Sequence, residues 1–521
     1  MNLSRSFQLF LGYLLLMACP VINIVLHNGY TLSFSELWIL FVLILALAFL
    51  SSRLCSQKFG VSFTSAFLIF WFLSTQGRDM TIVKLLMLSG LCLVLFLFFL
   101  KIYFPLPKII LIFLIGLGFA QGMKWFLISS DKKGSSHTAM ETSSQESWLF
   151  SGENVLYIIL DEHIGVEGMP PEHPQTKALQ EDIRDFYQKL GFTLFTKAYS
   201  PYFTTDNAIP NILNGTQKET MWFGEKGKRE LFKNDLFDAA LQAGYDLHVY
   251  QNDYIDYCGE GIATCEEYPK INPASLIKEG YSLKDRFIFL GNVVLQSNSV
   301  YRQLRRRTVL GRFFPALTGG LGVVPQVFGG IKKDILQKGS YQLFFVHMLM
   351  PHFPYVYDAS CKPLPVQDWE MKNRYSEDAP SMNTPETYDK KYALYYGQIR
   401  CLMKLEEDLF ESLQKEGALE NLMVVIHGDH GSRINLGHDP YFEFFDKMTH
   451  DDFLSSYSTL LAIKKAGQIE GRVNSNQGSI IRILGDELYE NQKFSGEEEP
   501  FVFMKQKRNK KLLKKVPMPL F

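Results

Sequence analysis

No Cys-x-x-Cys pair occurs anywhere in the 521 residues, although the chain holds seven cysteines. A zinc site of four cysteines at the usual spacing is therefore disfavoured. The chain also lacks a charge excess: 53 Lys and Arg stand against 54 Asp and Glu, a formal net charge of −1. That balance gives no general signal for nucleic acid, and no nucleic-acid partner is expected. No internal repeat is visible, and "GGLG" at 319–322 lacks the lysine of a phosphate-binding P-loop. Charge is scarcest at the front, where residues 1 to about 128 are repeated apolar runs.

Those runs predict membrane spans at roughly 7–27, 34–52, 61–76, 82–101 and 107–128, each near the ~20 residues that cross ~30 Å of hydrocarbon. A cleavable signal peptide is not expected, given the length of the first run and the spans after it. Orientation follows the bias of Lys and Arg. With the N-terminus inside, the cytoplasmic side holds Arg5, Arg53, Lys58, Lys101 and Lys108, and the opposite loops little beyond Arg78 and Lys84. Five spans put everything after about residue 130 outside the cytoplasm. Without the short third span, which carries Ser and Thr, that part would be cytoplasmic.

Four cysteines fall in the polar part, and an even number in an exported domain suggests disulfides. Cys258 and Cys265 close the short loop "CGEGIATC"; Cys361 and Cys401 would form the other pair. Four reduced cysteines are the alternative.

Residues 129–152 are rich in Ser and Thr and read as a linker. From 153 onward, strand-like and helix-like runs alternate. "NVLYIIL" (154–160), "QLFFVHMLM" (342–350) and "LMVVIHG" (422–428) are short apolar runs of the kind that fill buried parallel strands. "KALQEDIRDFYQKLG", "DLFDAALQAG" and a long stretch over 386–415 read as helices. Such alternation implies an α/β domain with a largely parallel sheet, which binds ligands beyond the carboxyl ends of its strands.

Three of those strands end in polar clusters: Asp161-Glu162-His163, His347 with His352, and His427-Gly428-Asp429-His430. One cluster at a strand end is ordinary, but three at one edge would build a single site. Asp161, Asp429 and His430 form a mixed oxygen and nitrogen donor set, which suits Zn²⁺ or Mn²⁺. Gly428 and Gly431 are expected where backbone bends tightly to bring consecutive side chains onto one ion. His427 reads either as a support for that site or as a buried, hydrogen-bonded histidine. "SPYFTTDNAIPNILNG" offers Thr204 and Thr205, whose hydroxyls become nucleophilic beside a dication or simply cap a helix.

These residues together resemble the alkaline phosphatase/sulfatase superfamily. The pattern looks most like the membrane-anchored branch of lipid A phosphoethanolamine transferases and lipoteichoic acid synthases, bacterial inner-membrane enzymes. The resemblance covers about residues 150–470. It implies an α-helical membrane domain of about five spans (1–128) followed by an α/β alkaline-phosphatase-like catalytic domain (153–521) with a largely parallel central sheet. In "NVLYIILDE" it assigns Asp161 to metal, with Glu162 as second choice. In "TTDNAIPNILNG" the nucleophile lies five residues before a proline, which selects Thr205. "FVHMLMPHFPY" implicates His347 and His352 in substrate contact. "VVIHGDHGSR" contributes Asp429 and His430 to one or two metal ions, and His438 in "NLGHDP" approximates a further substrate or metal histidine.

The C/S-x-P-x-R motif of sulfatases proper is missing, since "CKPLP" at Cys361 lacks the arginine. That disfavours sulfate esters. The expected activity is transfer of a phospho-substituent, of phosphoethanolamine or phosphoglycerol type, from a membrane lipid to a glycan or lipid acceptor. A phosphoester or sulfoester hydrolase and a catalytically dead membrane-anchored binding protein are the alternatives. Two basic runs, "RQLRRR" (302–307) and "KQKRNKKLLKK" (505–515), read as solvated faces or as contacts to anionic headgroups.

Overall fold

The computed structural model describes residues 34–54, 152–218, 233–252, 254–268, 324–365, 385–436, 441–488, 499–507 and 512–521, with positions 10, 14, 150, 231, 282 and 286 besides. The chain divides into two compact units, one of residues 1–140 with 273–317 and one of residues 141–272 with 318–521. In the first unit, helix α1 (Phe34–Leu54, 21 residues) coincides with the second expected span. Among the described residues no helix is long and apolar enough to cross a membrane. The other four expected spans, nearly all of the linker, "RQLRRR" and "GGLG" lie outside the described residues.

The second unit carries twelve strands and seven helices among its described residues. Its strands are β1 (Asn154–Leu160), β2 (Thr193–Phe195), β3 (Ala198–Tyr199), β4 (Asp246–Asn252), β5 (Ile262–Tyr268), β6 (Gln342–Met348), β7 (Leu422–Gly428), β8 (Leu461–Lys464), β9 (Arg472–Asn474), β10 (Gly478–Ser479), β11 (Phe501–Lys505) and β12 (Leu513–Pro517). Its helices are α2 (Thr176–Lys189), α3 (Thr205–Leu213), α4 (Asp235–Gln242), α5 (Val324–Gln337), α6 (Pro385–Lys415), α7 (His450–Tyr457) and α8 (Ile480–Leu488).

Eight strands form one sheet in the order β5-β4-β6-β1-β7-β8-β2-β9. The β1–β6, β1–β7, β4–β6, β4–β5 and β2–β9 pairs are parallel, and β8 alone runs against its two neighbours. The expected α/β domain with a largely parallel sheet is therefore present. The three apolar runs singled out in the sequence are adjacent central strands, buried on both faces, which is why they show no alternation. Leu160 lies opposite both Met348 and Gly428. The three strands thus finish level, and whatever follows each one emerges at the same edge.

Helix α6 packs one face on this core. Tyr392, Tyr395, Ile399, Leu402, Leu409 and Leu413 are buried, at the three- and four-residue steps of its sequence pattern. Glu406 lies on the same buried face, where Tyr187 of α2 donates its hydroxyl to Oε2 at 3.1 Å. Burial pushes the Glu406 carboxyl up from 4.5 to about 8. A carboxyl raised in the folded state leaves stability intact below the unfolded value of 4.5, and stability falls as pH climbs from there to about 8. Glu406→Gln keeps an acceptor for Tyr187 and removes the ionisation. Thermal unfolding across pH 5–8 should show the variant level with the parent at the acid end. At pH 8 it should be more stable by a few kcal/mol.

Candidate active site

The level strand ends bring the distant clusters together. Asp161 follows β1, and Asp429 and His430 follow β7; all three are buried, and their donor atoms lie within 4.8 Å of one another. His430 Nε2 is 3.3 Å from Asp429 Oδ2 and 3.8 Å from Asp161 Oδ1. Thr205 opens α3, with Thr204 at the N-cap in extended conformation. The Thr205 hydroxyl donates to Asp161 Oδ1 at 3.3 Å and lies 3.4 Å from His430 Nε2.

The donor set fits a cation on the protein's own geometry. His430 Nδ1 is 2.9 Å from the Gly431 carbonyl, which can only accept, so the proton sits on Nδ1. The Nε2 lone pair then faces inward, the form in which imidazole binds metal. Asp429 Oδ1 is occupied, accepting from Glu162 N at 3.0 Å and His430 N at 2.9 Å. Asp429 Oδ2 is buried with no hydrogen-bond donor among the described residues. A carboxylate oxygen and an imidazole lone pair, 3.3 Å apart and both out of water, repel unless a cation or a proton lies between them. Burial raises the Asp429 carboxyl from 3.8 to about 7. Asp161 is raised too, first by burial and then by the Asp429 charge.

The flanking glycines have a different cause from the expected tight bend, since neither has a left-handed backbone. They are sites of close approach. A Cβ on Gly428 would stand 2.5 Å from the His163 carbonyl oxygen, and one on Gly431 2.2 Å from that of Ser455 in α7. Gly431 also donates its N–H to Ser456 O at 3.0 Å. Gly431→Ala should push the 429–433 loop off α7. We expect a loss of about 1–3 kcal/mol of stability, read by thermal unfolding. Metal affinity should weaken as well, because His430 moves with the loop.

His347 is the last residue but one of β6 and is buried. Its Nδ1 is 3.1 Å from the Tyr257 hydroxyl, and Nε2 has no partner among the described residues. Burial lowers the imidazole to about 4, against the pull of Asp161, so His347 is neutral near pH 7. One proton lies between Tyr257 and Nδ1, and which of the two donates decides whether Nε2 carries a hydrogen. His352 is one-quarter exposed, and its Nε2 lies 3.6 Å from Glu162 Oε1.

Glu162 is buried and pairs its carboxylate with the Arg433 guanidinium, and it is not one of the clustered three. Both residues take left-handed backbone, φ 63° and 58°, a conformation that non-glycine residues hold only where the surroundings fix it. The Tyr395 hydroxyl fixes the first: it donates to Glu162 O at 2.5 Å and accepts from Ile164 N at 2.9 Å. His427 is fully occupied, with Nδ1 donating to Gly428 O at 2.7 Å and Nε2 accepting from the Tyr157 hydroxyl at 2.9 Å. It supports the strand end and has no free lone pair. His438 lies outside the described residues. Cys258–Cys265 and Cys361–Cys401 are disulfide-bonded. Tyr257, next to the first disulfide, and Arg433, in "HGDHGSR", were not foreseen; the arginine's place at the end of a strand-end motif was the available signal.

Comparison with known proteins follows this geometry. A family model, Sulfatase, matches residues 153–477, a span that takes in β1 to β9 and the site residues from Asp161 to His430. No curated protein matches the chain. Among solved structures, the phosphonate monoester hydrolase of Agrobacterium radiobacter is 16% identical, with 68% of this chain and 80% of that chain covered and a TM-score of 0.40. The C-terminal periplasmic domain of EcEptC from Escherichia coli, in complex with Zn, is 13% identical, with 70% and 93% covered and a TM-score of 0.37. BT1596, a 2-O GAG sulfatase, is 12% identical, with 68% and 78% covered and a TM-score of 0.41. Enzymes of the sulfatase superfamily are hydrolases or transferases of phospho- and sulfo-esters and use divalent metals. The family match spans well over half of the sequence, so the chain belongs to the sulfatase family, within the alkaline phosphatase/sulfatase superfamily.

Proposed function

We propose that the chain is a membrane-anchored, metal-dependent phosphotransferase with an extracytoplasmic catalytic domain. It moves a phospho-substituent, of phosphoethanolamine or phosphoglycerol type, from a lipid donor to a glycan or lipid acceptor through a phosphorylated Thr205. The observation that carries this reading is the Thr205 hydroxyl, buried at the start of α3 and within 3.4 Å of both Asp161 and His430. The apolar front of the sequence supports the anchor, and a lipid donor gives it a purpose.

Asp161, Asp429 and His430 would hold the ion, Zn²⁺ or Mn²⁺ by their donor chemistry. Bound there, it would favour the alkoxide form of a neighbouring hydroxyl and offset charge on a phosphoryl oxygen. Thr205 supplies the attacking oxygen, and its proton already lies on a hydrogen bond to Asp161 Oδ1. As the Thr205–phosphorus bond forms, the bond to the lipid oxygen breaks, and the lipid leaves as an alcohol with the proton that Thr205 gave up. An acceptor hydroxyl then attacks the same phosphorus and returns the proton to Thr205. His347 presents Nε2–H to the phosphoryl oxygens in the step where they gather charge. By donating to Nδ1, Tyr257 would hold it in that tautomer, and His352 stands at the more exposed side of the site.

The test is the mass of the Thr205 peptide after incubation of the metal-loaded chain with phosphatidylethanolamine or phosphatidylglycerol. A transferase carries the headgroup on Thr205 and gives it up when an acceptor is added. A hydrolase of the same family releases headgroup with no acceptor present. A protein that only binds shows neither.

A further inference from the structure

One feature of the second unit has no part in that chemistry: the basic run at 505–515. Its described residues, 505–507 and 512–515, belong to the paired strands β11 and β12 and the positions beside them, and this hairpin is joined to a turn of 3₁₀ helix at Phe442–Lys447. Lys507 N donates to Glu443 Oε2 at 3.0 Å, and Tyr441 bridges Lys505 through the backbone. Three ammonium groups lie over two rings. Lys447 and Lys507 are 5.4 and 5.5 Å from the centre of Phe444, and Lys514 is 5.2 Å from that of Phe442.

We propose that this surface docks onto the headgroups of an anionic phospholipid bilayer beside the catalytic site. Three observations carry the proposal. The first is charge. Lys447, Lys507 and Lys514 are exposed and converge, in a chain whose net charge is −1. The acidic side chains on the same turn, Glu443 and Asp446, offset two of these charges, and Lys505 and Lys515 add two more on the hairpin.

The second is the apolar surface among the cations. Phe442 is 37% exposed and Leu512 49%. A soluble polyanion offers nothing to such groups, whereas the boundary between headgroups and acyl chains takes up both the rings and the lysines. The third is position. Phe503 N donates to Pro201 O at 2.8 Å, the Phe503 and Tyr202 rings stack at 5.1 Å, and the Lys505 ammonium is 5.6 Å from the Phe203 ring. The hairpin is thus fixed to the segment that leads into Thr205. A lipid surface held by it lies next to the nucleophile, which deepens the reading of a lipid donor and rests on that reading for its purpose.

Hydrogen–deuterium exchange tests the contact without using turnover. The full chain is placed in phosphatidylcholine nanodiscs and in nanodiscs with about one-third phosphatidylglycerol. Amides of 441–447 and 501–517 should exchange several-fold more slowly in the anionic discs, as expected where each lysine at such a surface adds about fivefold to partitioning. High salt and the triple variant Lys447→Glu/Lys507→Glu/Lys514→Glu should abolish that difference. Amides of β1 and β7 serve as the folding control, and a Lys→Gln triple variant replaces the glutamate one if the control moves. Equal exchange in both discs overturns the proposal, as does a difference that survives the charge changes. Equal protection by soluble polyphosphate in phosphatidylcholine discs also overturns it, in favour of a soluble anion. None of these outcomes bears on the Thr205 adduct, which is read in detergent.

Discussion

Thr205→Ala is expected to abolish turnover, by at least about 10⁴-fold, while the protein still folds and still binds metal. The attacking atom is lost, and among the described residues no other hydroxyl is hydrogen-bonded to both Asp161 and His430. Helix α3 does not depend on that hydroxyl, because Thr205 is its first residue and the hydroxyl faces Asp161 and His430, not the helix backbone. The three residues that would hold the ion are untouched. Thr205→Ser keeps an oxygen at the same position and should retain part of the activity. Turnover with a candidate lipid and metal content measured on the same samples separate the outcomes. Unchanged turnover in the alanine variant would remove Thr205 from the chemistry.

Asp429→Asn should have opposite effects on the metal-free and metal-loaded protein. The asparagine carbonyl can still accept from Glu162 N and His430 N, as Oδ1 does now. Its amide would stand where Oδ2 faces the His430 Nε2 lone pair at 3.3 Å, turning a repulsion into a hydrogen bond. Above pH 7, where the parent carboxyl is ionised, the metal-free variant should therefore melt higher than the metal-free parent. Metal affinity should fall by more than about 100-fold, because the anionic ligand is gone. The rise in melting temperature on adding Zn²⁺ or Mn²⁺ should then vanish.

The same carboxyl sets a pH dependence in the parent. Burial holds it at about 7 without metal, so below that pH an ion must displace a proton. Affinity should drop at least about tenfold per unit below pH 7, and more steeply if Asp161, raised in the same direction, is also protonated. Above pH 7 the Asp429 contribution to that slope should level off. Calorimetric titration between pH 5 and 8 reads both.

Much of this was legible because buried parallel strands leave a plain trace. The runs 154–160, 342–348 and 422–428 are nearly continuous apolar segments, and each stops at chemistry-bearing residues. The rule that such sheets bind at their carboxyl ends joined Asp161 to Asp429 and His430 before any coordinates did. What the sequence hid was pairing. Glu162 and Arg433 are far apart in the chain, and nothing local marks their ion pair or the left-handed backbone beneath it. Strand β5 was hidden because it is an edge strand, mostly exposed, with no apolar face to show a period. The β11–β12 hairpin was hidden by its lysines. "LKKVP" buries only Leu513 and Val516, too few for alternation to stand out within a basic run. Gly428 and Gly431 were identified as required, but for bending, whereas the structure needs them for contact with the His163 and Ser455 carbonyls.

Convergence of these side chains on one cation is tested most directly by anomalous diffraction from crystals soaked in Zn²⁺ or Mn²⁺. The account predicts a peak bonded to Asp161, Asp429 and His430, with the Thr205 oxygen beside it. A fully loaded protein whose peak lies elsewhere, with Asp429 Oδ2 and His430 Nε2 facing each other and no ion between them, would contradict it.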